Sequence, residues 1–172
     1  MRRPIAILFP LLLSGAGAQA DQFAQIRCGA DIPKALVGQR ESNAPVVKTE
    51  AAYKHLRLEH LGADIVADDM NAISWRLCGQ EYLMLDKGSI IRDVIAFPPH
   101  SKTTPAFSGS CRIRGRDTKD MIVGVLDASG KGERLPAKEA WRIDEKAAKF
   151  VRMDVRDMLC PRSGVYTADG GM

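Results

Sequence analysis

The stretch ISWRLCGQEYLMLDKGSIIRDVIAF, residues 73–97, contains three short apolar runs that are separated by turn residues. In the first run, Ile73, Trp75 and Leu77 alternate with polar residues, as in a strand that buries one face. Gly79 and Gly88 lie in the two segments between the runs, where a tight chain reversal favours glycine. The stretch therefore predicts a three-stranded antiparallel β-meander.

A second β-rich region follows a loop that is predicted over residues 98–109, a segment rich in proline, serine and threonine. Further short strands are predicted at residues 111–114, 121–126, 141–144 and 150–155. Residues 145–148 have the length of a hairpin loop between the last two strands. The chain from Ser163 onward is expected to fray.

Two short helices are predicted before the first meander. Asp31 can cap a helix over residues 32–37, and Gly38 can end it. Residues 39–45 are typical of a loop, and a second helix is predicted near residues 49–57. The sequence as a whole therefore predicts an α+β fold with two β-meanders of short antiparallel strands and one or two short helices.

The amino terminus has the pattern of a secretory signal peptide. Arg2 and Arg3 give it a basic start, residues 5–13 form an apolar run, and Ala18-Gln19-Ala20 is a small-residue cleavage signal. We therefore predict that residues 1–20 are removed and that the protein is periplasmic or secreted.

The rest of the chain, residues 21–172, has the size of a single extracytoplasmic domain, with possible halves at residues 21–98 and 106–162. Of the 25 lysine and arginine residues, two belong to the leader, so 23 remain against 21 acidic residues, a net charge of +2. This balance argues against nucleic acid as a partner. No apolar stretch after residue 20 has the roughly 18 to 20 residues of a membrane-spanning helix.

Four cysteines, an even number, indicate two disulfides in an oxidising compartment. Three pairings are possible. The separations of Cys28 from Cys78 and of Cys111 from Cys160 are nearly equal, which favours those two bridges over the other pairings. A zinc site is the alternative, but metal-binding cysteines usually come in close pairs, and these four are widely spaced.

The best-organised polar feature is a series of arginines, Arg112, Arg114 and Arg116, with Lys119 close behind. In a single strand the three arginines point to one face. Such a row can hold a carboxylate-rich protein surface or an anionic glycan through bidentate contacts. The alternative is that the row only protects an edge strand and aids solubility.

No catalytic residue, cofactor or metal site is predicted. The histidines, His55, His60 and His100, have no nucleophile motif beside them. The acidic residues at positions 64–69 lack the alternation and closing glutamate of a calcium loop, so a solvated loop is the expectation there. We therefore expect a protein that is not an enzyme.

Residues 28–79 also resemble a known family, the small bacterial secreted elastase inhibitors related to potato inhibitor I. The resemblance rests on Cys28, Leu36-Val37-Gly38-Gln39 at the end of a short helix, Val46-Val47, and Cys78-Gly79 at the end of a strand. It implies that Cys28 pairs with Cys78, that the helix packs on a small sheet, and that an exposed loop near residues 64–71 enters a serine protease.

Taken together, the sequence predicts a non-catalytic periplasmic or secreted binding protein. Its partner would be an envelope or secreted protein, held by the arginine row or by the segment near Asp64. One alternative is a module that acts as a serine-protease inhibitor. The other is a small hydrolase or metal-dependent enzyme that uses His55, His60 or His100.

Overall fold

The structure is a computed structural model, and it describes residues 21–167. The predicted signal peptide, residues 1–20, and the last five residues of the chain lie outside this range.

Two short helices begin the described chain. Helix α1 spans Ile32–Leu36, and the Asp31 carboxylate accepts a hydrogen bond from the backbone N–H of Lys34 at its first turn. Helix α2 spans Val46–Ala52 and is followed by a 3-10 turn at Lys54–Leu56. The first prediction is confirmed. The second helix starts earlier than predicted, directly after Pro45.

The first sheet is a four-stranded antiparallel meander in chain order. Its strands are β1, Glu59–Ala67; β2, Met70–Leu77; β3, Gln80–Lys87; and β4, Ile90–Ala96. Strands β2 to β4 confirm the predicted meander. Strand β1 was not predicted, and residues 64–69, expected to form a loop, instead lie in β1 and its turn into β2. The prediction was wrong because β1 is an edge strand in which no residue is fully buried and no clear alternation appears.

The second sheet contains eight strands. They are β5, Ala106–Gly109; β6, Arg112–Ile113; β7, Arg116–Asp117; β8, Ile122–Leu126; β9, Arg134–Asp144; β10, Lys149–Arg152; β11, Met158–Pro161; and β12, Val165–Tyr166. The order is β12-β5-β8-β9-β11-β6-β7, and β10 also pairs with β9. All strand pairs are antiparallel.

Two of the predictions for this region are corrected. Residues 106–109 form β5 rather than part of a loop, because their backbone pairs with β8. Residues 165–166 form β12, which pairs with β5, so the chain does not fray from Ser163. The predicted hairpin loop at residues 145–148 is confirmed between β9 and β10.

The first sheet is covered on both faces. On one face Ile73, Trp75 and Leu77 pack with Phe23 and the amino-terminal helices. On the other face the alternate positions of β2 and β3 pack against apolar side chains of the second sheet. A third buried cluster lies within the second sheet and includes Cys111 and Cys160.

A side-chain hydrogen bond also joins the two sheets. The Asp93 carboxylate, on β4, accepts the backbone N–H of Phe150, on β10, at 2.8 Å. The same carboxylate accepts the N–H of Val94 at 3.1 Å. Asp93 therefore supplies an acceptor for a strand of the opposite sheet, in addition to the apolar contacts.

Both predicted disulfides are present. Cys28 is bonded to Cys78 and Cys111 to Cys160, and no cysteine is free. The first bridge ties the segment before α1 to the β2–β3 turn, and the second ties β11 to the residue before β6. The predicted α+β class is confirmed. Within residues 21–167, the helices are too short and too polar to cross a bilayer.

Candidate functional site

The arginine row does not lie in one strand. Arg112 is in β6 and Arg116 in β7, and Arg114 and Gly115 form the turn between them, both at positive φ. A two-residue turn of this kind needs a left-handed backbone at both positions, and Gly115 adopts it without strain. The prediction of one strand with three arginines on one face was therefore wrong.

The hairpin gives Arg112 a cross-strand partner. It is opposite Asp117, and its Nε and Nη2 donate to the two carboxylate oxygens at 3.2 Å each. Arg134 lies 3.4 Å from the same carboxylate. The hydrogen bond from Arg112 lowers the pKa of Asp117. Arg112 is therefore committed to a contact within the protein.

Arg114 lies in a different environment. It lines a depression of about 360 Å³ together with Arg142 of β9, Arg152 of β10 and Arg156 of the following loop. We call these four residues the arginine depression. The backbone N–H of Arg114 donates to the carbonyl of Asp157 at 3.0 Å, which holds the β6–β7 turn against this loop. Arg116 and Lys119 are exposed and do not line the depression.

The depression contains more positive than negative charge. In the described part of the chain, Asp154 is the one carboxylate among its lining residues. Arg156 donates from Nε to Asp154 at 2.8 Å, and this contact lowers the pKa of Asp154 to about 2. Arg142 and Arg152 lie 3.4 and 3.1 Å from Asp144 and Glu139, respectively, neither of which lines the depression.

Apolar groups complete the wall of the arginine depression. Ile113, Val151 and Met153 line it, and Val151 is exposed. The Arg152 guanidinium also lies 5.9 Å from the centre of the Trp141 ring, within reach of a cation–π contact. Arginine and methionine are both enriched at protein–protein interfaces.

A second polar group is buried between the two sheets. The Ser74 hydroxyl, on β2, donates to Oε1 of Glu81, on β3, at 2.7 Å. His100 Nε2 lies 3.7 Å from the other oxygen of Glu81 and has no hydrogen-bond partner in residues 21–167. The side chains of His100 and Glu81 are only 4% and 8% exposed. The sequence did not identify this cluster, because Ser74, Glu81 and His100 are not adjacent in the chain and form no motif.

This arrangement differs from a serine–histidine pair. The Ser74 hydroxyl donates to a carboxylate, and the histidine contacts the far side of that carboxylate. His100 Nδ1 lies 3.3 Å from the carbonyl oxygen of Pro98, which is an acceptor for a ring N–H.

The other two histidines lie on the opposite side of the first sheet. His55 is exposed, and its ring is 6.0 Å from that of Tyr53. His60 packs edge-to-face on Trp75 at 4.7 Å, and burial lowers its pKa despite the opposing charge of Glu50. Within residues 21–167 no three histidine, cysteine or acidic side chains are arranged to hold a metal ion.

The segment that the inhibitor resemblance assigns to protease contact is a hairpin. Residues 64–71 comprise the end of β1, a two-residue turn at Asp68-Asp69, and the start of β2. Protease inhibition stays a prediction for this segment.

The chain matches no protein-family model, and neither a curated protein nor a solved structure is significantly similar to it.

Proposed function

We propose that the protein is a non-catalytic binding protein of the periplasm or the secreted fraction, and that its arginine depression holds an acidic segment of a protein partner. One observation carries the proposal: four arginines from three separate parts of the chain line one depression, and within residues 21–167 Asp154 is the one carboxylate of its lining.

The chemistry of the depression favours carboxylates. Guanidinium groups present paired N–H donors that match the two oxygens of Asp or Glu side chains. Within residues 21–167 the Arg114 guanidinium forms no ion pair within 4.0 Å, although its charge helps to lower the pKa of Asp154. Its donors are therefore less committed than those of Arg142, Arg152 and Arg156. The exposed side chain of Val151 supplies apolar contact area beside these charges, which favours a protein segment over a glycan.

Two features support export. The first twenty residues have the pattern of a signal peptide, and all four cysteines are paired. Structural disulfides persist mainly in oxidising compartments.

The test is a capture experiment with the oxidised protein, residues 21–172, and the extracytoplasmic fraction of the source cell. The variant R114S/R152S removes two arginines that line the depression. The matched control R116S/K119S removes the same charge from exposed positions outside it. Circular dichroism and thiol titration establish that both variants are folded and oxidised.

We expect the wild type and R116S/K119S to retain the same acidic protein, and R114S/R152S to lose most of it. Capture should also weaken as salt is raised, because the contact depends on charge. Equal losses in the two variants would point to a general effect of net charge. Undiminished capture by R114S/R152S would refute the assignment of the depression, and capture of a glycan alone would refute the protein partner.

A further inference from the structure

A second cavity lies between the two sheets, beside the buried Ser74–Glu81 pair. It has a volume of about 240 Å³. Residues 61–64 of β1 form one wall, Ala72, Ser74 and Leu83 of β2 and β3 form the floor, and Tyr166 and Thr167 close the far side. This cavity depends on β12, because the pairing of β12 with β5 brings Tyr166 to the edge of the first sheet.

The charge of this cavity is opposite to that of the arginine depression. Among residues 21–167, Asp64 is the one carboxylate of the lining, and no lysine or arginine lines the cavity. A second carboxylate, Glu81, lies beneath the floor and accepts the Ser74 hydroxyl. His100 is behind Glu81 and does not reach the cavity.

Tyr166 lies close enough to both carboxylates to feel their charge. Burial raises the pKa of its phenol, and the charges of Glu81 and Asp64 raise it further. The phenol is therefore neutral throughout the physiological range, and its oxygen can accept a hydrogen bond from a ligand. The aromatic ring of Tyr166 packs edge-to-face with His100 at 6.2 Å, and an aromatic ring attracts a cation placed over its face.

We propose that this cavity binds a small organic cation of the alkylammonium class. The ammonium group would lie between the Asp64 carboxylate and the Tyr166 ring and hydroxyl, and the alkyl part would contact Leu61, Ala72 and Leu83. The volume is below the roughly 300 to 1,000 Å³ of sites for drug-sized ligands, so the ligand would have only a few heavy atoms. The cavity shares no lining residue with the arginine depression. Binding of an organic cation here is therefore independent of the binding of an acidic protein at the arginine depression.

The experiment titrates the oxidised protein, residues 21–172, with n-butylammonium chloride and follows backbone amide shifts by NMR. n-Butanol and sodium butyrate serve as ligands of the same length without charge and with the opposite charge. Sodium chloride at matched ionic strength controls for salt. We expect butylammonium to shift the amides of residues 61–64, 72 and 167 with saturation, and to bind more tightly than butanol, with butyrate weakest.

The variant D64N keeps the shape of the lining and removes its charge. The control D68N makes the same change in the exposed β1–β2 turn, outside the cavity. We expect D64N to weaken butylammonium binding about fivefold, as for an exposed charge, and D68N to leave it within twofold. The variant Y166F should weaken it by a smaller factor, because the ring remains.

Three results would overturn the proposal. The first is the absence of saturable shifts at these residues with butylammonium. The second is binding of butanol or butyrate to the wild type that is as tight as that of butylammonium. This comparison needs no variant. The third is equal weakening by D64N and D68N.

Discussion

The hydrogen bond from Ser74 to Glu81 makes a strong stability prediction. The Glu81 carboxylate is buried, and the Ser74 hydroxyl donates to it at 2.7 Å. His100 Nε2, at 3.7 Å, is too far away to replace that donor. Replacement of Ser74 by alanine therefore leaves one carboxylate oxygen buried without its donor.

The magnitude follows from the type of bond that is lost. A hydrogen bond to a charged group contributes about 1.5–3 kcal/mol, and an unsatisfied buried acceptor adds a desolvation cost. We expect S74A to lower the free energy of unfolding by about 2 kcal/mol, and E81Q by less than about 1 kcal/mol, since the glutamine oxygen can still accept from Ser74. The double variant S74A/E81Q should be less destabilised than the sum by about 1 kcal/mol, because both changes act on one contact.

Guanidinium chloride unfolding of the oxidised protein measures these free energies. Tryptophan fluorescence serves as the signal, since Trp75 and Trp141 lie in different core clusters. The control is S110A, which changes an exposed serine and should stay within about 0.5 kcal/mol of the wild type. The reasoning is refuted if S74A is no more destabilised than S110A, or if E81Q loses as much stability as S74A.

Three further perturbations test other parts of the fold. Removal of the Asp93 carboxylate in D93A leaves the Phe150 N–H without its acceptor and should lower the free energy of unfolding by about 1–3 kcal/mol; denaturation indistinguishable from the wild type would contradict this role. A Cβ at Gly124 would lie 2.2 Å from the carbonyl oxygen of Glu139, so G124A should separate β8 from β9 and lower the melting temperature by several degrees or prevent folding; an unchanged melting temperature would be inconsistent with the close approach. The pKa of His60 is lowered in the folded protein, so the unfolded chain binds more protons near its ordinary pKa, and this residue makes stability fall as pH decreases through about 6.5. In H60Q, urea unfolding between pH 8 and 5 should show a shallower loss of stability, and an unchanged slope would argue against the effect.

The local part of the fold was predictable from the sequence. Alternation at Ile73, Trp75 and Leu77 and the glycines at the turns were sufficient for β2 to β4, because meander strands pair with their neighbours in the chain. Strand β1 was missed because its pattern is interrupted at Gly62 and Asp64, and it is stabilised by pairing with β2 rather than by burial of its own side chains.

Long-range pairing was not predictable in the same way. Strands β5 and β12 have two to four residues each and are held by partners that are far away in the sequence. The position of Tyr166 depends on this pairing, so the second cavity could not be inferred from residues near the carboxyl terminus.

The arginine depression was also only partly predictable from the sequence. The sequence identified Arg112, Arg114 and Arg116 as a group, but Gly115 allows a turn that separates them. Its position between two arginines was a signal for that turn. An outward-facing position for Arg142 follows from its place between Trp141 and Ile143, whereas Arg152 lies opposite Trp141, on the face that Phe150 buries. The proximity of both arginines to Arg114 follows only from the way β6, β9, β10 and β11 pair.

The order of the two disulfides along the chain bears on how the protein can be oxidised. Each bridge joins consecutive cysteines, and the loop from Cys28 to Cys78 ends before the loop from Cys111 to Cys160 begins. A chain that enters an oxidising compartment amino terminus first can therefore close the first bridge before Cys111 arrives, and the first cysteine of each pair meets its native partner as the next one to emerge. Oxidation in that order would give the native connectivity without an enzyme that reshuffles disulfides.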